Sequence, residues 1–183
     1  MLYDLIVAGF GGQGVMTLGQ MLAYAGLEEG KNVLWMPAYG PETRGGFANC
    51  TVIFSDEEIA SPVVSNPDSM IIMNRPSLEK FENTIKPKGL MILNTSMVNR
   101  EVERKDIEVI KVPATDIASE LGNTKVANMV ALGAYAEKTK IVKIETIVSF
   151  ISKKLKDKTD LIEINKKALA RGAETVKSCA KCS

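Results

Sequence analysis

Two glycine-rich segments are the parts of this sequence whose residue types and spacing indicate chemistry. Gly9, Gly11 and Gly14 follow an apolar run and precede a helical pattern, which is the context of a phosphate-binding G-x-G-x-x-G turn. Glycine allows a tight turn and a close ligand, and the helix that follows offers free N–H groups to an anion. We expect Gly11, Gly12, Gln13 and Gly14 to contact either a phosphate group or another protein surface.

An NAD site would need more than this turn. It uses an acidic residue about 20 residues further on, at the end of the second strand, to hold the ribose hydroxyls. The predicted second strand ends in Trp35, Met36 and Pro37 without an acidic residue, and Glu28 and Glu29 lie too early, on the preceding helix. Dinucleotide binding is therefore an alternative, behind a structural or interface use of the turn.

The second segment runs from Tyr39 to Gly46 (YGPETRGG) and follows the predicted second strand. The carboxyl ends of parallel strands share one sheet edge, where ligands and partners bind, so this loop should emerge beside the glycine turn. Glu42 and Arg44 supply opposite charges among small residues, which lets the backbone lie against another surface. Arg44 can also bind a carboxylate or a phosphate through two parallel hydrogen bonds. The alternative is a solvated loop.

Composition excludes several classes of protein. The 183 residues include no histidine, so this chain alone cannot form a Ser-His-Asp triad, a Cys-His pair or a His-ligated zinc site. The formal charge of +1 gives no drive toward nucleic acid. No apolar run reaches the about 18 residues of a membrane span, and the N-terminus lacks the basic start of a signal peptide. An odd count of three cysteines favours a reducing cytoplasm.

Alternating apolar strands and amphipathic helices predict an α/β fold of three layers, a mostly parallel, Rossmann-like sheet with helices on both faces. We expect strands at 3–8, 32–36, 47–55, 69–74, 90–94 and 107–112, and helices at 15–30, 77–85, 115–121, 125–139, 143–155 and 159–177. Small residues on the 125–139 helix predict the close approach of another element. One domain should span residues 1–177, followed by a flexible tail over 178–183.

The C-x-x-C motif of Cys179 and Cys182 lies in this predicted tail. A zinc or cluster site needs a second pair of ligands, and Cys50, in a predicted strand, is a poor candidate. We interpret the motif as part of a frayed chain end, with a metal shared with a partner chain as the alternative.

The two loops together resemble a known family. Strand-G-x-G-G-Q-G-helix followed by Y-G-P-E-x-R-G-G is similar to the gamma subunit of 2-oxoacid:ferredoxin oxidoreductases. It is also similar to the corresponding domain of fused pyruvate:ferredoxin oxidoreductases and to the beta chain of indolepyruvate oxidoreductase. The small-residue stretch 128–134 resembles the same family, and the resemblance extends over about residues 3–137.

The resemblance implies a multi-subunit enzyme that oxidatively decarboxylates a 2-oxoacid to an acyl-CoA and reduces ferredoxin. It places thiamine diphosphate and magnesium between alpha and beta subunits, and iron–sulfur clusters on beta or delta subunits. The gamma subunit is associated with the coenzyme A side. This chain would carry no catalytic residue and no metal ligand of its own. Its residues at the subunit interface or the coenzyme A side would be Glu42, Arg44, Gly45 and Gly46.

Several alternatives stay open. We favour 2-oxoglutarate over pyruvate as the substrate, and the short chain suits the separate-subunit form of the enzyme. The competing hypotheses are a free-standing Rossmann-like nucleotide-binding domain and an interaction module that touches no ligand. An exposed partner surface is also compatible with a homodimer of the isolated chain. The lysine-rich stretch 153–158 is interpreted as a solvated helix end, with ferredoxin docking as the alternative.

Overall fold

Six strands and six helices make up the part of the chain that the computed structural model describes, residues 1–40 and 46–180, with side chains to residue 178. In chain order they are β1 (Leu2–Phe10), α1 (Val15–Glu28), β2 (Asn32–Tyr39), β3 (Phe47–Ser55), β4 (Ser69–Ile72), α2 (Arg75–Phe81), β5 (Leu90–Asn94), β6 (Glu108–Val112), α3 (Ala114–Glu120), α4 (Ala127–Thr139), α5 (Ile144–Leu155) and α6 (Thr159–Ala180). The last helix continues three residues past the boundary expected at residue 177.

The strands form one sheet in the order β2-β3-β1-β4-β5-β6. β1, β4, β5 and β6 are parallel, whereas β3 runs antiparallel to both of its neighbours. The predicted three-layer α/β fold with a mostly parallel sheet is confirmed, with the addition of a β2–β3 hairpin. Because β1 and β2 are both antiparallel to β3, they run in the same direction and end at the same edge of the sheet.

The second strand is longer than the sequence predicts. Pro37 pairs with Cys50 and Tyr39 with Ala48, so β2 continues through residues that we assigned to the loop. Proline lacks a backbone N–H and is tolerated in a strand at the edge of a sheet. β2 is such an edge strand, with β3 as its neighbour.

The two faces of the sheet are covered differently. On one face, β1 side chains such as Leu5 and Val7 pack with apolar residues of α1 and of α3 to α6 in the larger core. On the other face, a smaller core combines Leu78 of α2 with Val98 and Val102. The latter two belong to the segment between β5 and β6, which crosses this face without forming a helix.

The Glu82 carboxylate holds that helix-free crossover in place. It lies in a 3₁₀ turn after α2 and is 2% exposed. Its oxygens accept from Arg100 Nη2 at 2.5 Å, from the backbone N–H of Arg104 at 3.3 Å and from the backbone N–H of Glu103. Glu82 thus supplies acceptors that a helical crossover would provide from its own carbonyl groups.

Two glycines set the distance between α4 and α6. A Cβ atom at Gly133 would collide with the carbonyl oxygen of Leu169, and one at Gly172 with that of Val130. Each helix therefore places backbone against the other where its glycine lies. The close approach predicted for the small-residue helix is confirmed, and the approaching element is α6.

Asp4 and Asp68 join β1 to the turn before β4. Asp4 Oδ1 accepts from the Asp68 N–H at 2.7 Å, and Asp68 Oδ2 accepts from the Asp4 N–H at 3.0 Å. Lys86 Nζ lies 2.7 Å from Asp68 Oδ1 and 3.7 Å from Asp4 Oδ2. Burial raises the pKa of the Asp4 carboxyl, although the Asp68 N–H opposes that shift.

We expect Asp4→Asn to remove a pH dependence of stability. A carboxyl whose pKa is raised by folding contributes stability at low pH that is lost as the pH rises through the folded-state pKa. The asparagine oxygen can still accept from the Asp68 N–H but does not titrate. Urea denaturation between about pH 4 and pH 7 should show a smaller fall in the free energy of unfolding than in the wild type. An unchanged fall would contradict the assignment to Asp4.

Candidate functional site

The two predicted loops meet at the carboxyl edge of the sheet. The Gly11 N–H donates to the carbonyl oxygen of Gly46 at 3.0 Å, and the Gly40 N–H donates to that of Phe47 at 2.8 Å. The first bond continues the antiparallel β1–β3 pairing one residue beyond Phe10 and Phe47, and the second continues the β2–β3 hairpin. The remaining predicted contact residues of the second loop, Glu42, Arg44 and Gly45, lie outside the described residues.

The glycine turn requires glycine at two positions for its conformation. Gly12 has φ 98° and Gly14 has φ 72°, both in the left-handed region. A Cβ at Gly14 would also collide with the side chain of Asn128 on α4, whose Nδ2 donates to the Gly14 carbonyl oxygen at 3.2 Å. Among the described atoms, none lies within 4 Å of a Cβ built on Gly12. Within the part of the chain that the structure describes, Gly12 therefore presents open backbone to another molecule.

The Gln13 side chain points into the protein. Its Oε1 accepts from the Phe10 N–H at 2.7 Å and from Asn74 Nδ2 at 2.8 Å, while Nε2 donates to the Met73 carbonyl oxygen at 3.4 Å. Gly9 makes room for it, because a Cβ there would lie 2.7 Å from Gln13 Oε1. The space created by Gly9 is thus filled by Gln13 itself.

This amide side chain bridges the topological switch point of the sheet. After β1 the chain turns to α1 on the side of the larger core, and after β4 it turns to α2 on the opposite side. Nucleotides bind doubly wound sheets in the crevice between two such strands. Here the hydrogen bond from Asn74 to Gln13 spans that crevice, and β3 separates β1 from β2. The geometry therefore does not support the dinucleotide alternative.

Asparagines that we did not predict organise the neighbouring loops. Asn74 Oδ1 accepts from the Ser77 N–H at 3.0 Å and caps α2. Asn94 Oδ1 accepts from the Ala114 N–H at 3.1 Å, and its Nδ2 donates to the Met73 carbonyl oxygen at 3.2 Å. The signal for Asn74 was present, since asparagine ahead of Arg-Pro is typical of a helix N-cap. Asn94 caps a helix that begins 20 residues later, so no local pattern indicated it.

A cleft of about 210 Å³ opens beside the glycine turn. Its lining comes from the turn, the end of β4, the loop after β5, the start of α3, and the residues just before and at the start of α4. It consists of Gly12, Gln13, Met73, Met97, Thr115, Thr124, Lys125 and Ala127. Hydroxyl groups and an ammonium group suit a small anionic group. The cleft is smaller than the about 300–1,000 Å³ of typical ligand pockets, so a whole nucleotide would extend beyond it.

Other reactive groups of the described residues are not arranged for chemistry. Burial raises the pKa of the Cys50 thiol to about 12, which keeps it protonated. The Tyr135 hydroxyl is fully buried and hydrogen-bonded to Ser69 Oγ at 2.9 Å. Within residues 1–40 and 46–178, no group of three His, Cys, Asp or Glu side chains could hold a metal ion. The Cys179 and Cys182 side chains lie outside the described residues.

No helix in the described part of the chain combines the length and the apolar character needed to cross a bilayer. The longest, α6, spans 22 residues and carries several charged side chains.

Comparison with known sequences gives matches over nearly the whole chain. The model of the pyruvate ferredoxin/flavodoxin oxidoreductase family matches residues 4–175. Ketoisovalerate oxidoreductase subunit VorA of Methanothermobacter marburgensis is 37% identical over 169 residues, which cover 92% of this chain and 35% of VorA. 2-Oxoglutarate synthase subunit KorC of the same organism is 36% identical over 180 residues, which cover 94% of this chain and 96% of KorC. The chain thus spans about a third of VorA but nearly the full length of KorC.

Comparison with solved structures identifies the same fold in a larger chain. A 2-oxoglutarate:ferredoxin oxidoreductase from Magnetococcus marinus, solved with 2-oxoglutarate, coenzyme A and succinyl-CoA bound, superposes with a TM-score of 0.90. The match covers 97% of this chain and 31% of that chain at 24% sequence identity. At this identity the likeness establishes the fold.

Proposed function

The chain belongs to the pyruvate ferredoxin/flavodoxin oxidoreductase family, and from this premise we propose that it is the gamma-type accessory subunit of a 2-oxoacid:ferredoxin oxidoreductase. The assembled enzyme oxidatively decarboxylates a 2-oxoacid to an acyl-CoA and passes the electrons to ferredoxin. This chain docks on the subunits that carry the thiamine diphosphate and performs no bond-making step itself.

The observation that carries the proposal is the meeting of the two family-like loops. The hydrogen bond from Gly11 to Gly46 brings them together at the sheet edge where partners and ligands bind. Isolated glycine turns occur in many proteins, but two such loops joined at one edge of a chain that matches the family over residues 4–175 favour a shared docking role.

The cleft beside the turn supports a role on the coenzyme A side. Gly12 presents open backbone, and Lys125 offers a positive charge for a phosphate group. Since the cleft holds about 210 Å³, it would receive one end of coenzyme A while the rest lies on a partner subunit. In VorA, the segment that matches this chain makes up 35% of one longer polypeptide. A coenzyme A site shared between this segment and the rest of VorA would therefore lie within a single chain.

Cofactors and partners of the complex follow from this assignment. Thiamine diphosphate, magnesium and the iron–sulfur clusters are placed on alpha, beta or delta subunits, and ferredoxin is reached through the complex. The full-length match to KorC favours 2-oxoglutarate as the substrate, and the VorA match makes ketoisovalerate the first competitor. We place the complex in the cytoplasm.

Affinity purification of the tagged chain from its host, followed by mass spectrometry, tests the proposal. We expect alpha and beta subunits to co-purify, together with thiamine-dependent oxidation of a 2-oxoacid that reduces viologen in the presence of coenzyme A. A panel of 2-oxoacids then identifies the substrate. A chain that purifies alone, or that binds NAD or a flavin, would overturn the assignment.

We expect Arg44→Ala to lower turnover or assembly of the complex. Arg44 is the charged donor of the second loop, and loss of a bidentate contact at a subunit or ligand surface weakens binding. Oxoacid oxidation and subunit stoichiometry should be measured together. Arg171→Ala is the matched control, because Arg171 forms an exposed ion pair with Glu120 on α3 and should leave both unchanged. Normal activity and stoichiometry in Arg44→Ala would contradict the role of this residue.

A further inference from the structure

We infer that Gln13 is a positioning residue: it lines the cleft, but its amide group sets the shape of the glycine turn from within and forms no hydrogen bond to the ligand or the partner. The inference rests on the proposed function, because it concerns the same turn. The sequence predicts that Gln13 contacts a phosphate group or another protein surface. We now assign that contact to the backbone around Gly12 and to the residues at the rim of the cleft.

The orientation of the Gln13 amide is determined by its backbone donor. An N–H can only donate, so the atom 2.7 Å from the Phe10 nitrogen must be the Gln13 oxygen. The same reasoning orients Asn74, whose Oδ1 accepts from the Ser77 N–H and whose Nδ2 therefore faces Gln13. Each amide in this chain of contacts has one orientation that satisfies all of its partners.

These contacts tie the turn to the two strands beside it. Gln13 accepts from the last residue of β1, and through Met73 and Asn74 it is joined to the end of β4. Asn94, the last residue of β5, donates to the same Met73 carbonyl oxygen. The ends of three parallel strands thus share one hydrogen-bonded network. A change in any of them would loosen the support of Gly12, which as a glycine can adopt many other backbone conformations than its present φ of 98°.

Comparison of Gln13→Glu with Gln13→Ala separates positioning from direct contact. Glutamate keeps both acceptor contacts, to the Phe10 N–H and to Asn74 Nδ2, and replaces the 3.4 Å donation to Met73 by a repulsion between two oxygen atoms. Alanine loses all three. If Gln13 positions the turn, Gln13→Ala raises the KM for coenzyme A by about tenfold at little change in kcat, and Gln13→Glu recovers part of that loss. If Gln13 touches a phosphate, glutamate repels it and is at least as damaging as alanine.

Amide hydrogen exchange of the full chain without its partners gives a second readout. Gln13→Ala should speed exchange of the Phe10 and Gly11 amides by about tenfold or more, while Gln13→Glu should stay nearer the wild type. Gln13→Met, which fills the space beside Gly9 without a polar group, replaces alanine if that variant does not fold. Gln20→Ala on α1 is the control for loss of a glutamine side chain. Unaltered exchange in both Gln13→Ala and Gln13→Met would overturn the inference.

The two readouts distinguish this inference from the proposed function. If the wild-type complex oxidises no 2-oxoacid, the proposed function is wrong, yet the exchange experiment still tests whether Gln13 holds the turn. If activity is present and glutamate is as harmful as alanine, the function stands and the positioning role is wrong.

Discussion

Gly172→Ala is expected to lower the free energy of unfolding by about 3 kcal/mol, the largest effect of a single methyl group that we expect in this protein. The added Cβ would collide with the carbonyl oxygen of Val130, an atom of helix backbone that cannot turn away as a side chain does. α4 and α6 would have to separate along a contact that reaches buried residues such as Ala134 and Leu169. Intrinsic propensity acts the other way, since alanine favours a helix over glycine by about 1 kcal/mol.

Urea or thermal denaturation measures this effect. Gly133→Ala should behave similarly, because its Cβ would meet the carbonyl oxygen of Leu169. Ala170→Gly is the control, because Ala170 is exposed on α6. This substitution should lower the free energy of unfolding only by the difference in helix propensity, about 1 kcal/mol. If Gly172→Ala proves as stable as the wild type, the helices must be less closely packed than described.

Glu82→Gln should cost about 2–3 kcal/mol, because it replaces a buried carboxylate that accepts charge-assisted hydrogen bonds with a neutral amide whose NH2 group faces a donor. The variant cannot replace the carboxylate that accepts at once from Arg100 and from the backbone of the crossover. Without that acceptor, residues 95–107 lose the anchor that keeps Val98 and Val102 on the smaller core. Glu79→Gln is the matched control, since its pair with Arg75 is half exposed and should contribute only about 0.3–0.5 kcal/mol.

The same carboxylate makes stability depend on pH. Burial alone would raise the pKa of Glu82, but the Arg100 hydrogen bond and the two backbone N–H groups outweigh it and hold the pKa below its usual value. The contribution of a group with a lowered pKa is complete above its unfolded pKa and is lost as the pH falls through the folded one. Denaturation of the wild type from pH 7 to acid should show this loss, and Glu82→Gln should lack it. Parallel curves for both proteins would contradict the assignment.

Local pattern was sufficient for most elements of the fold. The run of valine, alanine and glycine in residues 126–134 indicated a helix that another element could approach closely, and α6 does so. Apolar strands bounded by glycine and proline likewise indicated β4 and β5. Such features are local in sequence, because the period of apolar residues and the size of side chains are properties of one segment.

The pairing of strands that are distant in sequence could not be predicted from local patterns. An apolar run such as β3 has the same composition whether it lies parallel or antiparallel to its neighbours, so the β2–β3 hairpin was not predicted. Pro37 indicated a loop, and it lies in a strand because β2 is at an edge. The crossover formed by residues 95–107 depends on Glu82, and no local sequence pattern around Glu82 indicates this role.

The site was predicted in part for the same reason. The motif identified the turn and its meeting with the second loop. It did not show that Gln13 would turn inward, since this depends on Asn74 and Met73, about 60 residues further along the chain. Nor did the motif show that Gly9 and Gly14 make room for the side chains of Gln13 and Asn128.

The central place of β1 in the sheet has a consequence for synthesis on the ribosome. β1 leaves the ribosome first of the described strands, but one of its neighbours, β4, begins at residue 69, and its larger core is closed by residues as late as Leu169. Contacts between residues so far apart form slowly, and until they form α1 is covered by β1 to β3 but not by α4 and α5. The larger core can therefore be completed only after α6 has been translated.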